Sequence, residues 1–295
     1  MDSALPPLPA LDGVGAIAER YDGLICDLWG VLHDGHRAFP HAVDCLGHLR
    51  AAGKHVVILS NAPRRSAEIE AKMNELGIGP ALYDKVISSG EEAWRHLKER
   101  PDDWYRALGR RGHHLGSDRD KGMREGLDVT WVEAFGEADF LLNTGAHMGQ
   151  ERVEDYEAQL AAAAALGLPM ICANPDLEVI AGGVRQICAG ALAKRYEELG
   201  GTVRYHGKPH REIYGACLSA LDGVPSDRIL AVGDSLRTDI AGAQTIGIDS
   251  LLVIGGIHAE ELGVQEGEAP TPESLAALCG KAGIRPTASV PLFRW

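Results

Sequence analysis

A chain of 295 residues that is 45% hydrophobic and 24% charged has the composition of an ordinary soluble globular protein, with core enough for one large or two modest domains. Its net charge of −13 argues against a nucleic-acid partner. No apolar run approaches a membrane span, and the amino terminus MDSALPPLPALDG lacks the basic-then-apolar pattern of a secretory signal. The six cysteines are widely spaced and several lie in apolar runs, so reduced, buried thiols and a cytoplasmic address are expected. The 12 histidines show no zinc-ligand spacing.

In chain order, the apolar run Leu24-Ile-Cys26 predicts a buried strand that ends on a carboxylate, Asp27, with Gly30 and Gly35 in the turn beyond. Pro40 to Ala52 reads as a helix stopped by Gly53, and His55 to Leu59 as a second buried strand ending in Ser60-Asn61-Ala-Pro63. Pro63 to Leu76 reads as an amphipathic helix, and Lys85-Val-Ile-Ser-Ser-Gly90 as a third short strand. From 91 to 183 the content changes. A charged helix over 91–100 leads through a glycine-bearing loop to short strands at Thr130-Trp131 and 139–143. A helix over 152–166 with an alanine run follows, then a strand over 169–173 ending in Asn174-Pro-Asp176. The last third predicts strands over 202–205, 228–232 and 250–254, helices over 185–199, from Gly207 to about Leu221, over 237–246 and over 275–282, and a loose tail with Pro286 and Pro291. Strand and helix alternating at this pace imply an α/β fold with parallel pairing.

Four of these strands end in small or polar groups: Asp27, Ser60-Asn61, Ser88-Ser89 and Gly233-Asp234. In a parallel sheet such ends share one edge, where ligands bind. Asp27 and Asp234 offer the oxygen ligands that Mg²⁺ prefers, and Asp27 can attack phosphorus to form an aspartyl-phosphate. Lys208 suits phosphoryl oxygens and the Asp27 carboxylate, and the Ser60 hydroxyl with the amides around it suits the remaining oxygens. Asp239, one turn past Asp234, would steady the metal or Lys208. Singly, each has a plainer reading: Asp27 or Ser60-Asn61 as helix caps, Lys208 as a surface lysine, Asp234 to Asp239 as an acidic first turn. Their order and strand-end placement together favour phosphate chemistry.

This ordered set resembles the haloacid dehalogenase (HAD) superfamily, in particular its class IIA phosphatases with a large α/β cap. The motifs are Asp27-Leu-Trp-Gly-Val-Leu, Ser60-Asn61, Gly-Lys208-Pro and Gly233-Asp-Ser-Leu-Arg-Thr-Asp239, with Asn174-Pro-Asp176 as a further signature. The resemblance covers nearly the whole chain. It implies a Rossmann-like parallel-sheet core over 1–90 and 184–295 and an inserted α/β cap over 91–183 that closes over substrate. It further implies Mg²⁺ on Asp27, Asp234 and the backbone carbonyl of Trp29, with Asp27, Ser60, Lys208 and Asp239 in catalysis. The substrate would be a small phosphorylated metabolite (a sugar, nucleotide or cofactor phosphate), met by Ser60, Asn61, Asn174, Asp176 and Lys208. Asn174 and Asp176 have an Asx turn before Pro175 as their plainer reading. A homodimer through the cap follows by analogy alone.

One position departs from the pattern. Two residues after the nucleophile the family's phosphatases carry a second Asp, the acid that protonates the leaving oxygen; here it is Trp29. A general acid contributes two to four orders of magnitude. Either His33 or Asp34 in the same loop substitutes, or the leaving group needs little protonation, or catalysis is slow or absent and the chain binds a phosphorylated ligand as a sensor or partner protein. The superfamily's dehalogenases also lack that acid, but they need no metal, and the intact Asp234/Asp239 motif weighs against them. Arg64, Arg65, His210, Trp131, His147 and Met148 are weaker candidates for ligand contact.

Overall fold

The computed structural model describes residues 8–147 and 150–295. The chain opens with β1 (Gly23–Asp27), α1 (Pro40–Ala51), β2 (His55–Ser60), α2 (Ser66–Glu75), β3 (Lys85–Ser88) and α3 (Ser89–Glu99). It continues through α4 (Asp103–Ala107), β4 (Arg111–Leu115), β5 (Thr130–Trp131), β6 (Phe140–Asn143), α5 (Glu157–Ala165) and β7 (Met170–Cys172). Next come β8 (Glu178–Ala181), β9 (Val184–Ile187), α6 (Ala189–Glu198), β10 (Val203–Tyr205) and α7 (Arg211–Ala220). The last elements are β11 (Ile229–Gly233), α8 (Ala241–Ile246), β12 (Asp249–Val253), α9 (Ala259–Leu262), α10 (Pro272–Ala282) and β13 (Ala288–Val290). No helix among the described residues is long and apolar enough to cross a membrane.

Six strands form one sheet in the order β13-β12-β11-β1-β2-β3. The ladders on both sides of β1 are parallel, with Asp27 opposite Leu59 and Cys26 opposite Val232. Every residue of β1 and β11 is buried, as the unbroken apolar runs of a sheet covered on both faces require. Chain order runs outward from β1 through β2 to β3, then resumes on the other side with β11 and β12. That reversal opens a crevice beyond the carboxyl ends of β1 and β11.

The chain divides into two units, one of Met1–Leu59, Ala71–Val86 and Tyr214–Trp295, the other of Ser60–Glu70 and Ile87–Ile213. The second unit has its own five-stranded sheet, β10-β7-β6-β4-β5, parallel throughout, and a separate β8-β9 hairpin. The inserted segment therefore runs past the expected limit of 183. Val203 pairs with Met170, and α6 buries Ala189, Leu192, Ala193 and Tyr196 in the same cluster as Leu141 and Met170.

Two further expectations change. The helix expected from Arg185 begins only at Ala189; residues 184–187 instead form a strand that follows the Gly182-Gly183 turn, with φ of 55° and 81°. The tail is not loose. β13 pairs with β12, Phe293 is fully buried, and the amide of Ser289 donates to the carbonyl of Pro9 at 2.9 Å.

Candidate active site

Asp27 closes β1, and Asp234 follows the last residue of β11, so the parallel register brings two carboxylates to neighbouring strand ends. A short helical stretch from Leu236 to Ile240 returns Asp239 beside them. One oxygen from each of Asp27, Asp234 and Asp239 lies within 4.8 Å of the others, and all three side chains are buried. No other cluster of three acidic, His or Cys side chains among the described residues is so close. Asp239, expected to steady the metal or Lys208, is a member of that trio.

Glycines make this approach possible. An added Cβ would lie 2.0 Å from the Asp239 Cγ at Gly233, and 2.0 Å from the Asp234 Oδ2 at Gly256. At Gly30, whose φ is +79°, it would lie 2.3 Å from the same Asp234 oxygen. Backbone amides also fix the carboxylates: Ile257 N–H donates to Asp234 Oδ2 at 2.8 Å, and Ser235 N–H to Asp239 Oδ2 at 3.1 Å. Three buried carboxylates with no nitrogen or sulfur donor among them suit a hard cation such as Mg²⁺.

The loop after β1 wraps on itself. Gly30 N–H donates to the His33 carbonyl at 2.9 Å, and the Trp29 ring meets the His33 ring edge-on at 5.1 Å. Gly35, with φ of +90°, passes so close to the indole that a Cβ there would sit 2.6 Å from it. Trp29 therefore packs its own loop. Gly35 N–H donates to His33 Nδ1 at 2.9 Å, which leaves the ring proton on Nε2, and burial lowers the ring to about 4. At neutral pH His33 is a neutral imidazole with no acidic proton to give, which tells against its expected part as substitute acid. For Asp34, burial raises the carboxyl, but the amides of Arg37 and His36 and the Arg37 guanidinium outweigh it and hold the group below its usual value. Asp34 is ionised at neutral pH, which tells against its expected part as well.

In the second unit Ser60 and Asn61 follow the core of β2, and both are buried. Ser60 Oγ accepts the Ala62 amide at 3.2 Å, tightening the turn. Asn61 Oδ1 accepts the Lys208 amide at 2.8 Å, while its Nδ2 donates to the Lys208 carbonyl at 3.2 Å and to Asp176 Oδ1 at 2.9 Å. The Asn61 side chain, expected to meet the ligand, holds the Lys208 backbone through both its oxygen and its nitrogen. Gly207, with φ of +101°, lets the turn close, because a Cβ there would be 2.4 Å from Asn61 Oδ1. Asn174 Oδ1 accepts the Asp176 amide at 2.9 Å, the Asx turn that was its plainer reading.

The remaining candidates divide. Ser88 caps α3 by accepting the Glu91 amide at 3.0 Å, and Ser89 Oγ donates to the Ala173 carbonyl at 2.6 Å, so that strand end is structural. Arg64 pairs with Asp120 at 3.1 Å, and Arg65 forks onto Glu91 at 2.7 and 3.0 Å while lying 3.5 Å over the Trp94 ring. His210 stacks on Tyr205 at 5.8 Å. Trp131 and His147 line a cleft of about 380 Å³ with His113, His114 and Arg124, and Met148 lies outside the described residues. Glu92, His206 and Tyr105, which no motif marks, meet behind the Lys208 turn.

Two family models match the chain, "Haloacid dehalogenase-like hydrolase" over residues 24–129 and a HAD-hydrolase-like model over 205–278. The 4-nitrophenylphosphatase of Schizosaccharomyces pombe is 30% identical over 293 residues, covering 90% of this chain and 95% of its own. The ribonucleotide monophosphatase NagD of Escherichia coli K12 is 27% identical over 241 residues, 80% of this chain and 88% of its own. Among solved structures, a haloacid dehalogenase-like hydrolase from Brucella suis 1330 superimposes with a TM-score of 0.81 at 35% identity, over 98% of this chain and 99% of that one.

Proposed function

The chain belongs to the haloacid dehalogenase-like hydrolases, and on that premise we propose that it is a Mg²⁺-dependent phosphohydrolase acting on a small phosphorylated metabolite through a phosphoenzyme on Asp27. The observation that carries the reading is the trio Asp27, Asp234 and Asp239, two at the ends of parallel strands and one on the helical stretch that follows, all buried with oxygens within 4.8 Å of one another. Those carboxylates, with the Trp29 carbonyl, would hold Mg²⁺. When bound, the ion supplies positive charge that lets an anionic carboxylate approach an anionic phosphate.

In this reading an Asp27 oxygen forms a bond to phosphorus as the bond to the leaving oxygen breaks. Water then cleaves the acyl phosphate, releasing inorganic phosphate and restoring the carboxylate. Lys208 and Ser60 are assigned to the phosphoryl oxygens on the motifs they occupy, and Asn61 holds the lysine backbone. The relatives' names, a 4-nitrophenylphosphatase and a ribonucleotide monophosphatase, support a phosphate monoester as substrate. Six free, buried thiols support a cytoplasmic setting. Homodimerisation through the inserted unit belongs to the same reading by analogy alone.

Trp29 shapes what the enzyme can do. With no acid two residues past Asp27, esters whose leaving oxygen needs little protonation are favoured. A second reading rests on the same residue, that of a catalytically weak relative that binds a phosphorylated ligand as a sensor. Phosphate release from a panel of sugar, nucleotide, cofactor and aryl phosphates, with Mg²⁺ and then EDTA, decides between them. Metal-dependent turnover that vanishes in Asp27→Asn is the expected result. Ligand binding without turnover in the wild type would instead establish the second reading.

A further inference from the structure

The turn that carries Lys208 is backed by a buried polar network outside the four motifs. The Glu92 carboxylate, in the first turn of α3, accepts the His206 Nδ1–H at 3.1 Å and the Gly207 amide at 2.9 Å. With Nδ1 donating, His206 Nε2 accepts the hydroxyl of Tyr105 on α4, which is fully buried. Burial lowers the His206 ring and raises the Tyr105 hydroxyl, so both stay neutral and each donor has one acceptor. Asn61 holds the amide and carbonyl of Lys208 from another side.

We propose that Glu92, acting through His206 and Gly207, is a positioning residue that fixes the direction of the Lys208 side chain. The proposal rests on Lys208 as a ligand of the phosphoryl oxygens. A lysine head rides on a flexible four-carbon stem, so its backbone must be held before its charge can be aimed. Gly207 cannot supply that rigidity, because a glycine at a φ of +101° has no side chain to limit its rotation. The carboxylate takes over that task. It grips the peptide one residue before the lysine, and His206 ties the same carboxylate to Tyr105.

The test compares wild type with Glu92→Ala, Glu92→Asp, Glu92→Gln and Lys208→Ala. It reads kcat and KM on 4-nitrophenyl phosphate with Mg²⁺, inorganic phosphate affinity by calorimetry, and Tm. Misplacing the lysine by about 1 Å predicts a loss on the order of 100-fold in kcat/KM for Glu92→Ala, with phosphate affinity weakened too. Glu92→Gln, which keeps an oxygen for both donors, is expected to restore both values. A merely structural role would lower Tm and leave kcat, KM and phosphate affinity of the folded fraction unchanged. Should Glu92→Ala not fold, Glu92→Asp keeps the charge but withdraws it by one carbon. A folded Glu92→Asp with wild-type kinetics and phosphate affinity overturns the proposal, provided Lys208→Ala has lost both. Phosphate affinity unchanged in Lys208→Ala overturns the reading of Lys208, and this proposal with it.

Discussion

Replacing Gly256 by alanine sets a methyl group 2.0 Å from the Asp234 Oδ2, 2.5 Å from its Cγ and 2.3 Å from its Cβ. Rotating the carboxylate away relieves only the first two contacts, because Cβ is fixed by the backbone. Opening that gap to the 3.4 Å of ordinary contact moves one of the two backbones by about 1 Å. The shift also pulls Asp234 from the Ile257 amide that holds it at 2.8 Å. A displacement of that size in a catalytic group costs on the order of 100-fold in rate. It should also abolish stabilisation by Mg²⁺, which at 100 times Kd is about 2.7 kcal/mol, a few degrees in Tm. The assay is phosphate release beside thermal melting in Mg²⁺ and in EDTA. Gly280→Ala in α10, where nothing lies within 4 Å of the new methyl, is the control. A Gly256→Ala protein with wild-type turnover and the wild-type Mg²⁺ shift would refute the placement of Asp234 at the reacting centre.

Trp29→Asp should raise kcat/KM on alkyl phosphates by about 10² to 10⁴ relative to 4-nitrophenyl phosphate, since a new acid helps most where the leaving oxygen is most basic. An unchanged alkyl-to-aryl ratio would show that the missing acid does not limit the rate. Gly215→Ala in α7 and Gly280→Ala in α10 meet open space, so each should stabilise the protein by about 0.5 to 1 kcal/mol in denaturant titration. Burial, with smaller effects from nearby Arg124, His147 and His113, lowers the His114 ring from 6.5 to about 4. The unfolded ring takes up its proton near 6.5 and the folded ring only near 4, so the unfolded state binds more protons between them. Stability should therefore fall as pH drops through that window, by roughly 2 kcal/mol for this partly exposed ring, and His114→Asn should flatten the slope.

Asp27, Ser60 and Asp234 were legible because each interrupts an apolar run that can only be a buried strand, and a polar group at that point needs a reason. Parallel pairing then gathers those ends without further information. The limit of the inserted unit was not legible. It depends on β10 choosing β7 as its neighbour, and three half-buried residues carry no mark of that long-range register. β13 was hidden by its flanking prolines. The β8-β9 hairpin did leave a sign, Gly182-Gly183 between two short alternating runs, but the helical pattern after it absorbed Arg185 to Ile187. Glu92 and His206 lie 114 residues apart, and neither stands in a motif, so only the folded chain brings them together.

The β8-β9 hairpin has a consequence for how this protein comes apart. Its two strands pair with each other and with no other strand among the described residues, and no residue of either is buried. An isolated two-stranded ribbon is marginal in water, so its amides should exchange with solvent long before those of β1 or β11. Arg185, half-way along the second strand, offers trypsin a cut in a segment that opens without the rest unfolding. The first covalent break in a limited digest is therefore expected there, leaving fragments of about 185 and 110 residues that remain associated until denaturant separates them.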